Sequence, residues 1–367
     1  MNRKQFVILL VAVAILGAAG LLLHQRDSDS WHSGNLAAGQ DLLPNLPVND
    51  VTQIIIRSGT NTLNLARADA IWRVRERDGY PANFSQISEL LRKIAQLKIV
   101  QTDDVLPTQL ARFQLSPLGS GADAGTAVEF KDQGGKTVGA LLLGKKHMRK
   151  SAGNAPAGMG DDSWPDGRYV LTGTDTQSVA VISDPLDDVE PQPERWLNRD
   201  FVSMDRPQSI TAQFPTGTNS WKLVRNSETN DWELADAHPG EKLDSAKITS
   251  LATPFAGVSF DDVGPRRGTA ATDGDTVMTV ETFNGLTFVA NIGAKENEHY
   301  PVSFSISLNG AAKATPTANS GAAIFAQQGA FTNWIYQVPA YGLEELLKTR
   351  QQLLVDSVTN APASAER

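Results

Sequence analysis

The sequence predicts an α+β protein: an N-terminal single transmembrane helix, then two tandem duplicated α+β domains with mainly antiparallel sheets. Three observations predict it. One uncharged apolar run stands near the N-terminus, the remainder of the chain repeats a pattern, and within each copy apolar residues alternate with polar ones. A period of two marks half-buried antiparallel strands.

The apolar run is Phe6 to Leu23, FVILLVAVAILGAAGLLL. At ~1.5 Å per residue a helix of this length reaches ~27 Å, enough to cross a bilayer core. Arg3 and Lys4 precede it, and Arg26, Asp27 and Asp29 follow. The positive-inside rule then leaves the N-terminus in the cytoplasm of a bacterial inner membrane and sends the body to the periplasmic side. A cleaved signal peptide is the competing reading, with Gly17-Ala18-Ala19 as a small-residue site, but Leu21-Leu22-Leu23 continue the run past it. Residues 1–26 thus read as cytoplasmic stub and anchor, 27–49 as a linker of turn composition, and 356–367 as a disordered tail.

The duplication is read in two segments, 50–206 and 207–355. Gly59-Thr60-Asn61 matches Gly217-Thr218-Asn219, Leu65 and Arg67 match Leu223 and Arg225, and Trp72 matches Trp232. Each copy opens as strand, turn, strand, turn, strand, with Ile54 and Ile56, then Leu63 and Leu65, then Trp72 and Val74 on one face of the first. A helix is expected next in both. Asn83 and Asp244 are its N-cap candidates. The apolar stripes are Ile87, Leu90, Leu91, Ile94 and Leu97, and Ile248, Leu251, Ala252, Phe255 and Val258. Pro254 lies inside the second and is expected to kink or end it. Asp103-Asp104-Val105 and Asp261-Asp262-Val263 follow, then further strands, and each copy closes on a basic helical segment around Arg199 or Arg350. A repeat of roughly 150 residues is too long for a solenoid, whose units run ~20–50.

Composition narrows the function. The 41% hydrophobic and 20% charged residues suit a folded chain, and the net charge of −8 argues against a nucleic-acid partner. The absence of cysteine removes disulfides, thiolate metal sites, a thiol nucleophile and a lipid-modified cysteine anchor. The five histidines, His24, His32, His147, His238 and His299, share no metal-ligand spacing.

Other candidates resolve to ordinary structure. Gly139 to Lys146 nearly spells a phosphate loop, but Lys146 stands where a hydroxyl should bind magnesium and the interior is apolar, as in a strand. Adjacent aspartates on an extended segment point opposite ways, so Asp103-Asp104 and Asp261-Asp262 read as solvated edges or turns. Asp273-Gly274-Asp275 and the group Asp161, Asp162 and Asp166 are fragments of an oxygen-ligand loop without its closing glutamate. His238 and His299 read as surface groups, Trp72 and Trp232 as core pieces, and Trp31 as an interfacial anchor. Arg199 and Arg350 read as cations at helix C-termini, with docking to an acidic partner as the sharper alternative. No catalytic, cofactor-binding or metal residue is assigned, and no cofactor is expected.

A family pattern is visible in the W-x-V strand, the capped helix, Phe113-Gln114-Leu115-Ser116-Pro117, Leu143-Gly144, Tyr169-Val170, Val179-Ala180-Val181 and Leu197-Asn198-Arg199-Asp200. Together these resemble the DUF4340 family over most of residues 50–205, and more loosely 208–352. The chain departs from it in having Gln114-Leu115 where Gly-Leu is common, and the second copy has no good counterpart of the Phe-x-Leu-x-Pro segment. The resemblance implies a membrane-anchored extracytoplasmic protein, with proteins of ABC-type transport or gliding-type complexes as partners, and brings no catalytic residues. The expected function is a non-enzymatic accessory or scaffold component of a cell-envelope complex. The alternatives are an envelope module that binds glycan or lipid between loops 151–168 and 310–330, and a hydrolase with an unfamiliar site.

Overall fold

The computed structural model describes residues 38–150, 163–173, 178–266, 274–308 and 321–355. The apolar run Phe6 to Leu23, Trp31, His24, His32 and most of the Gly-rich and Ala-rich loops lie outside them. Among the described residues no helix is long and apolar enough to cross a membrane. The chain divides into two compact units, Met1–Trp196 and Leu197–Arg367.

The first unit is built on a nine-stranded sheet. Its strands are β1 (Gln53–Ser58), β2 (Asn61–Ala68), β3 (Ile71–Val74), β4 (Tyr80–Pro81), β5 (Ile99–Asp104), β6 (Thr126–Lys131), β7 (Thr137–Lys150), β8 (Ser163–Thr172) and β9 (Ser178–Ile182). They lie in the order β4-β3-β2-β1-β6-β7-β8-β9-β5, each pair antiparallel. Alternation fixes the register. Ile54 faces Leu65 and Phe130 across its two neighbours, and Ile56 faces Leu63 and Val128, all of them buried. A slip by one residue would turn this row to solvent. The helix Phe84–Gln96 buries Ile87, Leu90, Leu91 and Ile94, and Asn83 caps it by accepting the Gln86 N–H at 3.2 Å. The chain then runs to the far edge as β5. There residues Gly39 to Leu42 pair with its start: Gly39 N–H donates to Ile99 O at 2.8 Å and Leu42 N–H to Leu97 O at 2.8 Å.

The second unit holds an eight-stranded sheet of β10 (Pro207–Gln213), β11 (Trp221–Val224), β12 (Glu233–Leu234), β13 (Asp262–Pro265), β14 (Thr276–Thr282), β15 (Leu286–Ile292), β16 (His299–Leu308) and β17 (Trp334–Pro339). Its order, β12-β11-β10-β14-β15-β16-β17-β13, repeats that of the first sheet without β4. The repeat seen in the sequence is therefore a repeat of topology. Ile210 takes the place of Ile54, Met278 that of Val128 and Ile292 that of Leu143. The core of this unit is aromatic: Phe201, Phe255, Phe260, Phe304 and Tyr336 pack with ring centroids from 4.9 to 6.4 Å apart.

Several expectations are corrected. The second copy has no α-helix over Ile248 to Val258. A 3-10 turn at Thr249–Ala252 ends at Thr253 in a non-helical conformation, because Pro254 offers no N–H and crowds the preceding residue out of the helical region. Ile248, Leu251 and Phe255 are buried all the same. The basic closing segments are not α-helical either. Arg199 lies beyond a short 3-10 turn, Pro193–Trp196, and Arg350 opens another, Arg350–Leu353, so neither cation stands at the C-terminus of an α-helix. Gly59-Thr60 is a tight hairpin turn, whereas Gly217–Asn219 is a 3-10 turn inside a longer loop. The two Asp-Asp-Val segments are out of step. Asp103 lies opposite Val179, but the matching position opposite Ile335 is Gly264, and Asp262 lies opposite Gln337.

Candidate functional site

Four of the motifs behind the family resemblance, Phe113 to Pro117, Leu143-Gly144, Tyr169-Val170 and Val179 to Val181, meet at one place in the first unit. Leu141, Leu143, Val170 and Ala180 point into the main core, so Leu142, Leu171 and Val179 must point to the opposite face of the sheet. That face is covered by the 3-10 segment Pro107–Phe113 and by Leu115, giving a second apolar cluster of Leu110, Phe113, Leu115, Leu171 and Val179 flanked by Tyr169. A Cβ at Gly144 would stand 2.3 Å from Phe113 O, so only glycine lets this cover lie flat. Gln114 takes a left-handed φ of 54°, which is where glycine is common in the family pattern. In the second unit the corresponding positions are Asn291, Ser303 and Ile335, two of them polar.

The candidate chemical groups are held by structural partners. Gly139 to Lys146 is β7, with Leu141 and Leu143 buried. Lys146 pairs with Asp187. His147 Nδ1 lies 2.6 Å from Asp166 Oδ1. His299 Nε2 lies 2.8 Å from Asp261 Oδ2, and that hydrogen bond, with a second to Asn297 O, raises the imidazole above its ordinary range. Asp103 and Asp104 sit on the edge strand β5. Gly274 and Asp275 precede β14, while Asp161, Asp162 and Asp273 lie outside the described residues. Trp72 is buried, but Trp232 is half-buried under the guanidinium of Arg225, 4.6 Å away. Arg199 donates to Phe260 O.

Arg350, 8% exposed, is held on several sides. Its Nε and Nη2 grip both oxygens of Glu241 at 3.0 and 2.7 Å, and its Nη1 reaches Asp236 at 2.9 Å. Nη2 also approaches His238 Nδ1 at 3.2 Å. This fork holds the Glu241 carboxyl down to about 2 and raises Arg350 in turn. Arg350 is thus committed inside its own unit and is no docking cation.

Two clefts of the first unit are lined by polar side chains. One, of 260 Å³, has Arg168 in its wall. That side chain stitches the bulge in β7 to the next loop, donating to Gly144 O at 2.8 Å and to Pro185 O and Leu186 O at 3.3 and 3.2 Å. Burial lowers its pKa, opposed by Asp187 and Glu190. The other, of 740 Å³, opens between the β2–β3 turn and the β6–β7 turn. Arg67, Arg75, Asp50, Asp69, Asp132 and Gln133 are among its lining. Sequence reasoning assigned it nothing, since its residues come from four separate turns and ends.

Residues 72–277, more than half of the chain, match the family model described as a domain of unknown function, DUF4340. The chain belongs to the DUF4340 family. The match runs from Trp72 at β3, through the Phe113 cluster, to Val277 at the start of β14, and so takes in parts of both units. No curated protein matches the chain, and no solved structure matches it. Among the described residues of this DUF4340 protein, no group of three or more histidine and carboxylate side chains is placed to hold a metal.

Proposed function

We propose that this DUF4340 protein is a non-enzymatic, single-pass envelope protein whose duplicated extracytoplasmic body serves as a scaffold for a membrane complex of ABC transport type. The observation that carries the reading is the pairing of an uncharged apolar run, Phe6 to Leu23, with a body that uses one sheet topology twice. A tethered body with two units of one topology offers two surfaces to partners at a fixed membrane, the arrangement a scaffold uses. The fixed pairing of the described histidines and of Arg350 supports the same reading, because those side chains already serve the fold.

The test is crosslinking in intact cells, followed by detergent extraction and purification of the full-length chain. A permease or other envelope protein should co-purify in fixed ratio, and the chain should stay in the pellet after carbonate washing. A chain recovered alone from the soluble fraction overturns the proposal.

A further inference from the structure

The two units provide an internal comparison at the 740 Å³ cleft. Arg67 and Arg225 hold the same place in the two sheets: each follows the buried leucine of the second strand, and their backbone N–H groups donate to Thr52 O and Gln208 O. In the second unit the place is filled. Arg225 donates to Pro207 O at 2.8 Å and Glu228 O at 3.0 Å, and its guanidinium lies 4.6 Å from the Trp232 ring and 5.7 Å from Phe283. Arg206 ties the covering loop down through Glu228 at 2.8 Å and Asn284 at 2.5 Å.

In the first unit the same place is open. The β2–β3 connection shrinks to Asp69 and Ala70, both at positive φ, and the opposing turn carries Gln133 where the second unit has Phe283. Arg67 and Arg75 make no side-chain hydrogen bond or ion pair among the described residues. The cleft's volume lies within the ~300–1,000 Å³ of small-molecule sites, but its walls are polar where most such sites are apolar.

The charges select the ligand. Two guanidiniums, of Arg67 and Arg75, share the lining with the carboxylates of Asp50, Asp69 and Asp132. An anion would meet three carboxylates and a cation two guanidiniums. A hydroxyl group does both jobs, donating to carboxylate and accepting from guanidinium. From this we propose that the cleft of the first unit binds a neutral polyhydroxylated ligand, an oligosaccharide, with Arg67 and Arg75 donating to its oxygens and Asp69 and Asp132 accepting from its hydroxyls. Arg225 marks the second unit as the closed counterpart.

The site is tested with the full-length protein in detergent on a printed array of neutral, sialylated and sulfated glycans, followed by calorimetry with the best neutral glycan. Neutral glycans should be retained and acidic ones rejected. Arg67→Ala and Asp69→Gly, both at exposed positions and the second tolerating the positive φ, should each weaken binding at least tenfold with little change in melting, while Lys222→Ala in the second unit leaves it as it was. An array with no saturable neutral glycan, a preference for sulfated ones, or wild-type affinity in both cleft variants would overturn the assignment. None of these readouts depends on which proteins co-purify, so the site and the scaffold proposal stand or fall separately.

Discussion

Two residues show how a single side chain carries strain or charge in this fold. Gln114 holds a φ of 54° at the end of the Pro107–Phe113 turn, a region costing an L-residue about 1–2 kcal/mol. A glycine at this position would remove that cost and give back part of it as unfolded-chain entropy. Gln114→Gly is expected to raise stability by up to about 1 kcal/mol, read from the urea midpoint at constant slope. Glu241 acts through charge. Its carboxyl titrates at about 2 in the folded chain because Arg350 grips it, below its unfolded value. Its contribution is therefore complete above the ordinary carboxylate range and drains away as pH falls from that range toward about 2. Comparing wild type with Glu241→Gln across pH 2 to 7, the stability difference should be full at neutral pH and vanish at the acid end. Arg350→Met, which leaves Glu241 and Asp236 without their donor, is expected to cost about 1–3 kcal/mol at pH 7, measured the same way.

At the scale of elements, the informative feature is the second apolar cover that the Phe113 cluster lays on the outer face of the first sheet. β7 and β9 read as continuous apolar runs because alternate residues serve two different covers, the main core and the Phe113 cluster. Gly144 is the closest point between sheet and cover. Gly144→Ala would force its Cβ against Phe113 O, and a loss of about 2–3 kcal/mol is expected. Gly264→Ala on β13 meets nothing within 4 Å and should stay within about 0.5 kcal/mol of wild type, so thermal melts of the two variants separate close packing from loss of a glycine as such. The strands, their alternation and the first helix were legible in the sequence, since short-range periodicity encodes them. The second helix was not. Its apolar stripe is real, and Ile248, Leu251 and Phe255 are buried, but Pro254 breaks the backbone ladder that the stripe alone does not report.

The whole molecule is two units, each closing its own core. Trp196 seals the first, accepting the Asn83 N–H on its carbonyl at 2.8 Å, and the Phe201 cluster begins the second. Hydrogen exchange followed by mass spectrometry should therefore find Gly144→Ala opening β6 to β9 while protection of β14 to β17 is unchanged. Loss of protection in both units together would show a single cooperative core.

By itself the sequence determined the duplication, the strand pattern, the capped helix at Asn83 and the apolar run at the N-terminus, because each is written in neighbours or in fixed periods along the chain. It did not determine register between distant strands, and the Asp-Asp-Val coincidence misled for that reason. Nor could it show that Arg350 answers Glu241, or that Arg67 stands in an open cleft where Arg225 stands in a closed one. Those relations join residues far apart in the chain, and only the folded sheet, by fixing which strand ends share a side, brings them together.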